Sequence, residues 1–201
     1  MINRLRPSLG RLLTEPVVRL IAKAGLSPNT LTVIGFLLNA VTAWVLAMGN
    51  LFPGGFLVLF SGWFDMLDGA LAELIGKPTR FGALLDSTID RFSEAVLFLG
   101  LLIFYLGQNA TLEIVLIYVA IVGSLMVSYV RARAESLGLE SEVGLFARPE
   151  RVILLALGLL LSRLSPVALV VVLWILAVGT NLTALWRLLY GWHQPNEDDN
   201  P

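Results

Sequence analysis

Asp65, Asp68, Asp86 and Asp90 are carboxylates in unusual surroundings: each sits inside or at the edge of a strongly apolar run. The first two are spaced i,i+3 and the second two i,i+4, so on helices each pair shares one face. Between them Gly76-Lys77-Pro78-Thr79 reads as a turn. Two helices joined by so short a turn run antiparallel, and their carboxylates can face each other across the gap. At membrane depth each carboxylate costs roughly 2.5–3.5 kcal/mol, and four together roughly 10–14 kcal/mol. The same stretch offers only Lys77 and Arg80 as counter-charges, with Arg91 just beyond. Divalent cations held by hard oxygen ligands would offset that cost, and Mg²⁺ favours carboxylates together with phosphate oxygens. Snorkelling caps at the interface are the plain alternative. A two-metal site is the sharper reading, because two ions ~3.5–4 Å apart can clamp a diphosphate and stabilise displacement at phosphorus.

Small residues accompany the acids. Asp65, Gly69 and Ala72 fall on one helical face, and Gly82, Asp86 and Asp90 on another. Glycine beside a carboxylate lets a bulky ligand approach the backbone. The same spacing also suits close helix packing in a membrane.

The elements that position these residues follow from composition. Of 201 residues 57% are apolar and only 14% charged, against ~25% charged in soluble domains. Mean hydropathy is +0.80. The chain is therefore an integral membrane protein of one domain, and its net charge of −1 gives no reason to expect a nucleic-acid partner. It has no cysteine, which excludes thiol chemistry and Cys-ligated metal, and its single histidine, His193, lies in a polar tail.

Residues 1–26 mix Arg4, Arg6, Arg11, Arg19 and Lys23 with leucines at helical spacing, as in an amphipathic helix lying in the membrane interface, broken by Pro7 and Pro16. An ordinary basic leader fits equally well. Ser27-Pro28 reads as an N-cap and first helical position. Six apolar segments follow: Leu31 to Met48, from Phe56 onward, Phe81 to about Leu106, Leu112 to Val130, from Pro149 to Ser162-Arg163, and Val167 to about Tyr190. Pro53-Gly54-Gly55 reads as part of a turn and 131–148 as a polar loop. The expected organisation is thus a juxtamembrane segment over 1–26, a six-helix transmembrane catalytic domain over 27–192 and a polar acidic tail over 193–201. Basic residues of the N-terminal segment, the 76–80 turn, the 131–151 stretch and Arg187 share one side, with Arg163 opposite. The positive-inside rule makes the termini and the aspartates cytoplasmic in a cell (inner/plasma) membrane.

The pattern D-x-x-D-G-x-x-A, then G-x-x-x-D-x-x-x-D, filled here by Asp65, Asp68, Gly69, Ala72, Gly82, Asp86 and Asp90, resembles the signature of the CDP-alcohol phosphatidyltransferases. The family has arginine after the alanine, where this chain has Glu73. The resemblance extends over nearly the whole chain, and the family's all-α plan is similar: an N-terminal interfacial helix and six transmembrane helices. It implies transfer of a phosphatidyl group from a CDP-diacylglycerol-type lipid to an alcohol with release of CMP, in phospholipid biosynthesis. It implies two Mg²⁺ or Mn²⁺ ions on Asp65, Asp68, Asp86 and Asp90, with Asp90 as the base, and a homodimer. Asp65, Asp68, Gly69, Ala72, Glu73, Gly82 and Asp86 would form the CDP-lipid groove.

For the acceptor, Arg131, Arg133, Arg148 and Arg151 lie on the cytoplasmic side, and Arg148 and Arg151 share a face at a helix N-terminus, a place suited to an anion. Arginine forks match phosphate geometry, although topology-setting or headgroup contact would explain them too. The runs Y-V-R-A-R-A-E and R-P-E-R resemble the phosphatidylinositol-phosphate synthase branch, which implies inositol phosphate as acceptor. Glycerol phosphate or another polar alcohol is the alternative. So is a low-activity or inactive member, because of Glu73. A cation transporter would also keep intramembrane acids, but spread along a path.

Overall fold

The computed structural model describes residues 6–76, 79–141 and 143–194, with side chains from Thr14 onward. The expectations that fall on Arg4, Lys77 and the acidic residues 197–199 lie outside them. Among the described residues the chain is all-helical: α1 (Arg6–Lys23), α2 (Pro28–Ala47), α3 (Leu51–Leu74), α4 (Arg80–Gly107), α5 (Thr111–Ser136), α6 (Arg148–Leu161) and α7 (Pro166–Trp192).

Four of these helices, α2, α3, α5 and α7, are long and apolar enough to cross a membrane. Helix α4 is longer still at 28 residues, but Asp86, Asp90, Arg91 and Glu94 crowd the stretch up to its middle. Helix α6 has 14 residues, a length of ~21 Å at 1.5 Å per residue, which is short of a ~30 Å hydrocarbon core. Large apolar side chains such as Trp44, Phe56, Phe92, Val115 and Leu182 are exposed around the outside. So much apolar surface is untenable in water and suits lipid. The protein is a multi-pass membrane protein.

Helix packing closes a ring. Helix α2 packs on α3 and α4, α4 on α5, α5 on α7, α7 on α6, and α6 on α3, with α1 applied to α3. Leu46, Val58, Phe98, Leu101, Ile117, Leu159, Leu173 and Leu176 fill its interior. A smaller cluster, Val18, Leu31, Leu67 and Leu71, fastens α1 and α2 to α3 beside the aspartates. Helices α2 and α4 approach closely because a Cβ on Gly100 would run into the Ala43 carbonyl. Helices α3 and α4 are neighbours in sequence, yet their main packing is not on each other. Each leans on α2, which leaves a gap between their carboxylates.

Local signals explain most boundaries. Ser27 caps α2, its hydroxyl accepting from the Thr30 N–H at 3.2 Å. Thr79 does the same for α4, accepting from the Gly82 N–H at 2.9 Å. Gly76, at φ +63°, ends the turn after α3, a conformation glycine adopts without steric cost.

Three expectations are corrected. Helix α1 continues through Pro16 rather than breaking there. Pro53-Gly54-Gly55 is the first turn of α3, not a loop. Proline is tolerated in a first turn, where its missing N–H would have had no partner, and Gly55 lets α3 meet Leu159 and Leu160 of α6. Finally, Arg131 and Arg133 are on α5, which runs on to Ser136, so the loop begins only at Leu137.

Candidate active site

The four aspartates project from α3 and α4, with Asp65 and Asp68 set against the backing helix α2. Asp68 is buried, 6% exposed, and held at both oxygens. Thr32 Oγ1 donates to its Oδ2 at 2.6 Å, and the Gly69 N–H donates to its Oδ1 at 2.6 Å. Asp65 lies one turn back. Its Oδ1 occupies the space over Gly35, where a Cβ would come within 2.6 Å of it. Thr32 and Gly35, three residues apart on α2, thus accommodate Asp68 and Asp65, three residues apart on α3. Neither was singled out by the sequence, since a threonine and a glycine in an apolar helix carry no distinctive signal.

Arg148, at the start of α6, reaches between the helices. Its Nη2 lies 2.6 Å from Asp65 Oδ2 and its Nη1 lies 2.6 Å from Asp90 Oδ1. The guanidinium therefore links a carboxylate of α3 to one of α4. Asp86 makes no hydrogen bond with a described residue.

Two cavities meet this row of acids from different directions. The larger, about 710 Å³, is lined by Asp68, Gly69, Ala72, Glu73, Gly82 and Asp86. Every residue expected in the CDP-lipid groove is there except Asp65. The wall is completed by Gly25, Leu26 and Ser27 of the α1–α2 connection, by Pro28, Asn29 and Thr32 at the start of α2, and by Thr79. Gly69 faces open space, since a Cβ there would meet nothing within 4 Å. The smaller cavity, about 160 Å³, is lined by Asp90, Arg131, Arg148 and Arg151, and also by Arg91, Glu94, Ser128 and Arg187. Asp86 and Asp90, one turn apart on α4, therefore front different cavities. Arg133 does not line the smaller one.

Two buried residues of that cavity were not expected in the site. Glu94 forms a two-point fork with Arg151, Nε to Oε1 and Nη2 to Oε2, both at 2.6 Å. Arg187 donates Nε to the Val143 carbonyl at 2.9 Å and Nη1 to the Val127 carbonyl at 3.0 Å. A lone arginine inside an apolar run was the available signal for Arg187. For Glu94 it was the matching arginine on α6.

The donor set is chemically suited to hard divalent cations, with carboxylates only and no histidine or cysteine. Among the described residues no three acids gather as a ready-made metal cage. However, among the described residues one guanidinium, that of Arg148, forms ion pairs with two of the four carboxylates, Asp65 and Asp90, so the negative charge is only partly met and the residues fit such ions.

The chain matches known proteins over most of its length. The family model for CDP-alcohol phosphatidyltransferase matches residues 26–185. The chain is 41% identical over 192 residues to the phosphatidylinositol phosphate synthase of Mycobacterium marinum, covering 92% of this chain and 82% of that protein. It is similar to the crystal structure of Mycobacterium tuberculosis phosphatidylinositol phosphate synthase with CDP-DAG bound, at TM-score 0.86 and 37% identity, covering 94% of this chain and 98% of that one. It is also similar to that enzyme in complex with manganese and citrate, at TM-score 0.85 and 37% identity, covering 94% and 93%.

Proposed function

The chain belongs to the CDP-alcohol phosphatidyltransferase family, and on that footing we propose that it transfers a phosphatidyl group from a CDP-diacylglycerol-type lipid to a hydroxyl of inositol phosphate, releasing CMP. The observation that carries this reading is the pair of cavities on either side of the aspartate row. One is large and has glycine backbone exposed for a nucleotide; the other is small and rich in arginine.

In this reading the larger cavity takes the cytidine diphosphate, with Gly69, Ala72, Glu73 and Gly82 along its floor and Asp65 behind. Asp65, Asp68, Asp86 and Asp90 would hold the metal, two ions of Mg²⁺ or Mn²⁺. When bound, such ions neutralise the diphosphate and polarise its phosphorus–oxygen bonds. Support comes from the partly met carboxylate charge and from the relative that binds manganese. Thr32 and Gly69 fix the Asp68 oxygens. Asp90 fronts the small cavity and accepts the proton of the attacking hydroxyl. The acceptor oxygen forms a bond to the lipid-bearing phosphorus as the bond from that phosphorus to the bridging oxygen breaks, and CMP leaves with the bridging oxygen. Arg131 and Arg148, with the remaining N–H groups of Arg151, receive the acceptor's phosphate. The names of the relatives support inositol phosphate as acceptor.

We further propose that α1 (within 1–26) lies in the interface and that six helices of 27–192 cross the membrane, α4 and α6 included, with 193–201 a polar tail. Both termini and the active site would face the cytoplasm of the cell membrane, in a homodimer. The test is CMP release by the purified protein in liposomes containing a CDP-lipid, with inositol phosphate, glycerol phosphate and unphosphorylated inositol compared. Release with inositol phosphate that stops on chelation supports the reading. Preference for unphosphorylated inositol overturns the phosphate pocket, and preference for glycerol phosphate overturns the acceptor.

A further inference from the structure

The connection between α5 and α6 is held from outside itself at three places, spaced three residues apart. Gln194, just past α7, grips both backbone groups of Glu140: the Glu140 N–H donates to Gln194 Oε1 at 2.8 Å, and Gln194 Nε2 donates to the Glu140 carbonyl at 2.6 Å. Arg187 of α7 donates to the Val143 carbonyl at 2.9 Å and also ties in α5 at Val127. Arg151 of α6 donates Nη1 to the Phe146 carbonyl at 2.9 Å. Between the ties, Gly144 takes φ +102° against Thr183, where a Cβ would collide with the threonine methyl. Fastened this way, the described residues of the connection, 139–141 and 143–147, form a fixed wall rather than a free loop.

Arg151 is itself held by Glu94. The fork from α4 fixes the guanidinium in one plane, with the arginine 2% exposed. Three of its five N–H donors are therefore committed to protein. The segment it holds delivers Ala147 and Arg148 to the small cavity.

We propose that Glu94 is a positioning residue that sets the wall of the acceptor cavity, so that acceptor recognition depends on a buried carboxylate of α4 acting through Arg151 and the strap segments 139–141 and 143–147. This rests on the reading that the small cavity takes the phosphorylated acceptor. The sign of one substitution separates positioning from simple electrostatics. Glu94 is a negative charge beside a phosphate site, so if charge alone mattered, Glu94→Gln would tighten the acceptor. A positioning role gives the opposite result, because the neutral amide presents an N–H to a guanidinium N–H and the fork is lost.

The experiment measures steady-state kinetics with both substrates, together with backbone amide exchange, on purified protein. Glu94→Gln is expected to raise the acceptor KM roughly tenfold, short of the ~100-fold a 1 Å misplacement can cost, while kcat and the CDP-lipid KM stay within about twofold. Exchange over 139–141 and 143–147 should quicken. Arg151→Lys, which keeps the charge and loses the fork, should behave the same way. If Glu94→Gln does not fold, Gln194→Ala tests the strap from the protein surface, with faster exchange at 139–141 and a raised acceptor KM expected. An acceptor KM that falls or holds steady in the folded variant overturns the proposal, as does an equal rise for both substrates. Arg131→Ala serves as the control for the site itself. If it leaves the acceptor KM unchanged, the acceptor reading fails, and the exchange data still judge the strap.

Discussion

Thr32 Oγ1 donates to Asp68 Oδ2 at 2.6 Å across 36 residues of chain, a buried contact that joins α2 to the carboxylate at the centre of the site. It fixes the rotamer of an acid whose other side-chain hydrogen bond among the described residues comes from its own neighbour, the Gly69 N–H. Thr32→Val keeps the shape and removes the donor. Hydrogen bonds to charged groups contribute about 1.5–3 kcal/mol. The variant should lose stability of that order, visible as a lower Tm, and should bind Mn²⁺ more weakly in calorimetry. Unchanged metal affinity would mean that Asp68 needs no help from α2.

Asp90 carries a second prediction. Asp90→Asn should reduce transfer by 10²–10⁴-fold, the usual cost of losing a general base, with any metal role adding to it. CDP-lipid binding should be largely spared, because Asp90 fronts the small cavity and Asp86 the large one. The amide also weakens the contact with Arg148, so Arg148→Gln is the companion variant. A turnover near wild type in Asp90→Asn, with metal bound, removes it from the chemistry.

The aspartates were legible because charge inside apolar sequence is costly, and the cost is visible without any structure. The helical plan was legible for the same reason, since apolar runs of this length have few other destinations. The partners of the arginines were not. Arg148 meets Asp65 across 83 residues and Arg151 meets Glu94 across 57, and no periodicity along one chain reports such a partner. Pro53-Gly54-Gly55 misled for a local reason: breakers mark both loops and first turns, and only the packing of Gly54 on Leu46 and Gly55 on Leu160 distinguishes them.

Gly69 offers a test in which stability and activity move in opposite directions. Alanine in place of a helical glycine stabilises by up to ~1 kcal/mol, and a Cβ here meets nothing within 4 Å. Gly69→Ala should therefore raise the Tm or leave it unchanged. The methyl nevertheless projects into the larger cavity, so the KM for the CDP-lipid should rise. A fall in Tm with unchanged KM would assign the glycine to helix packing instead.

Glu73 stands where the family pattern has arginine, and it lines the larger cavity beside Asp68, Gly69 and Ala72. Its carboxylate is exposed, so solvent weakens its field without abolishing it. A diphosphate entering the cavity meets one more negative charge where a positive one is expected. Two like charges 4 Å apart interact by ~1 kcal/mol in bulk water and ~4 kcal/mol at an effective dielectric of 20. An opening to solvent places this site near the lower figure. Glu73→Arg reverses the sign and should lower the CDP-lipid KM by about three- to tenfold, each tenfold being ~1.4 kcal/mol. The transfer rate at saturating metal should rise with it, because the added guanidinium also favours the charge that builds on the leaving CMP. Glu73→Gln, which removes the charge without adding one, should fall between the two. Were all three proteins to bind the CDP-lipid equally, position 73 would lie beyond the reach of the diphosphate, and the departure from the family pattern would be without consequence for the reaction.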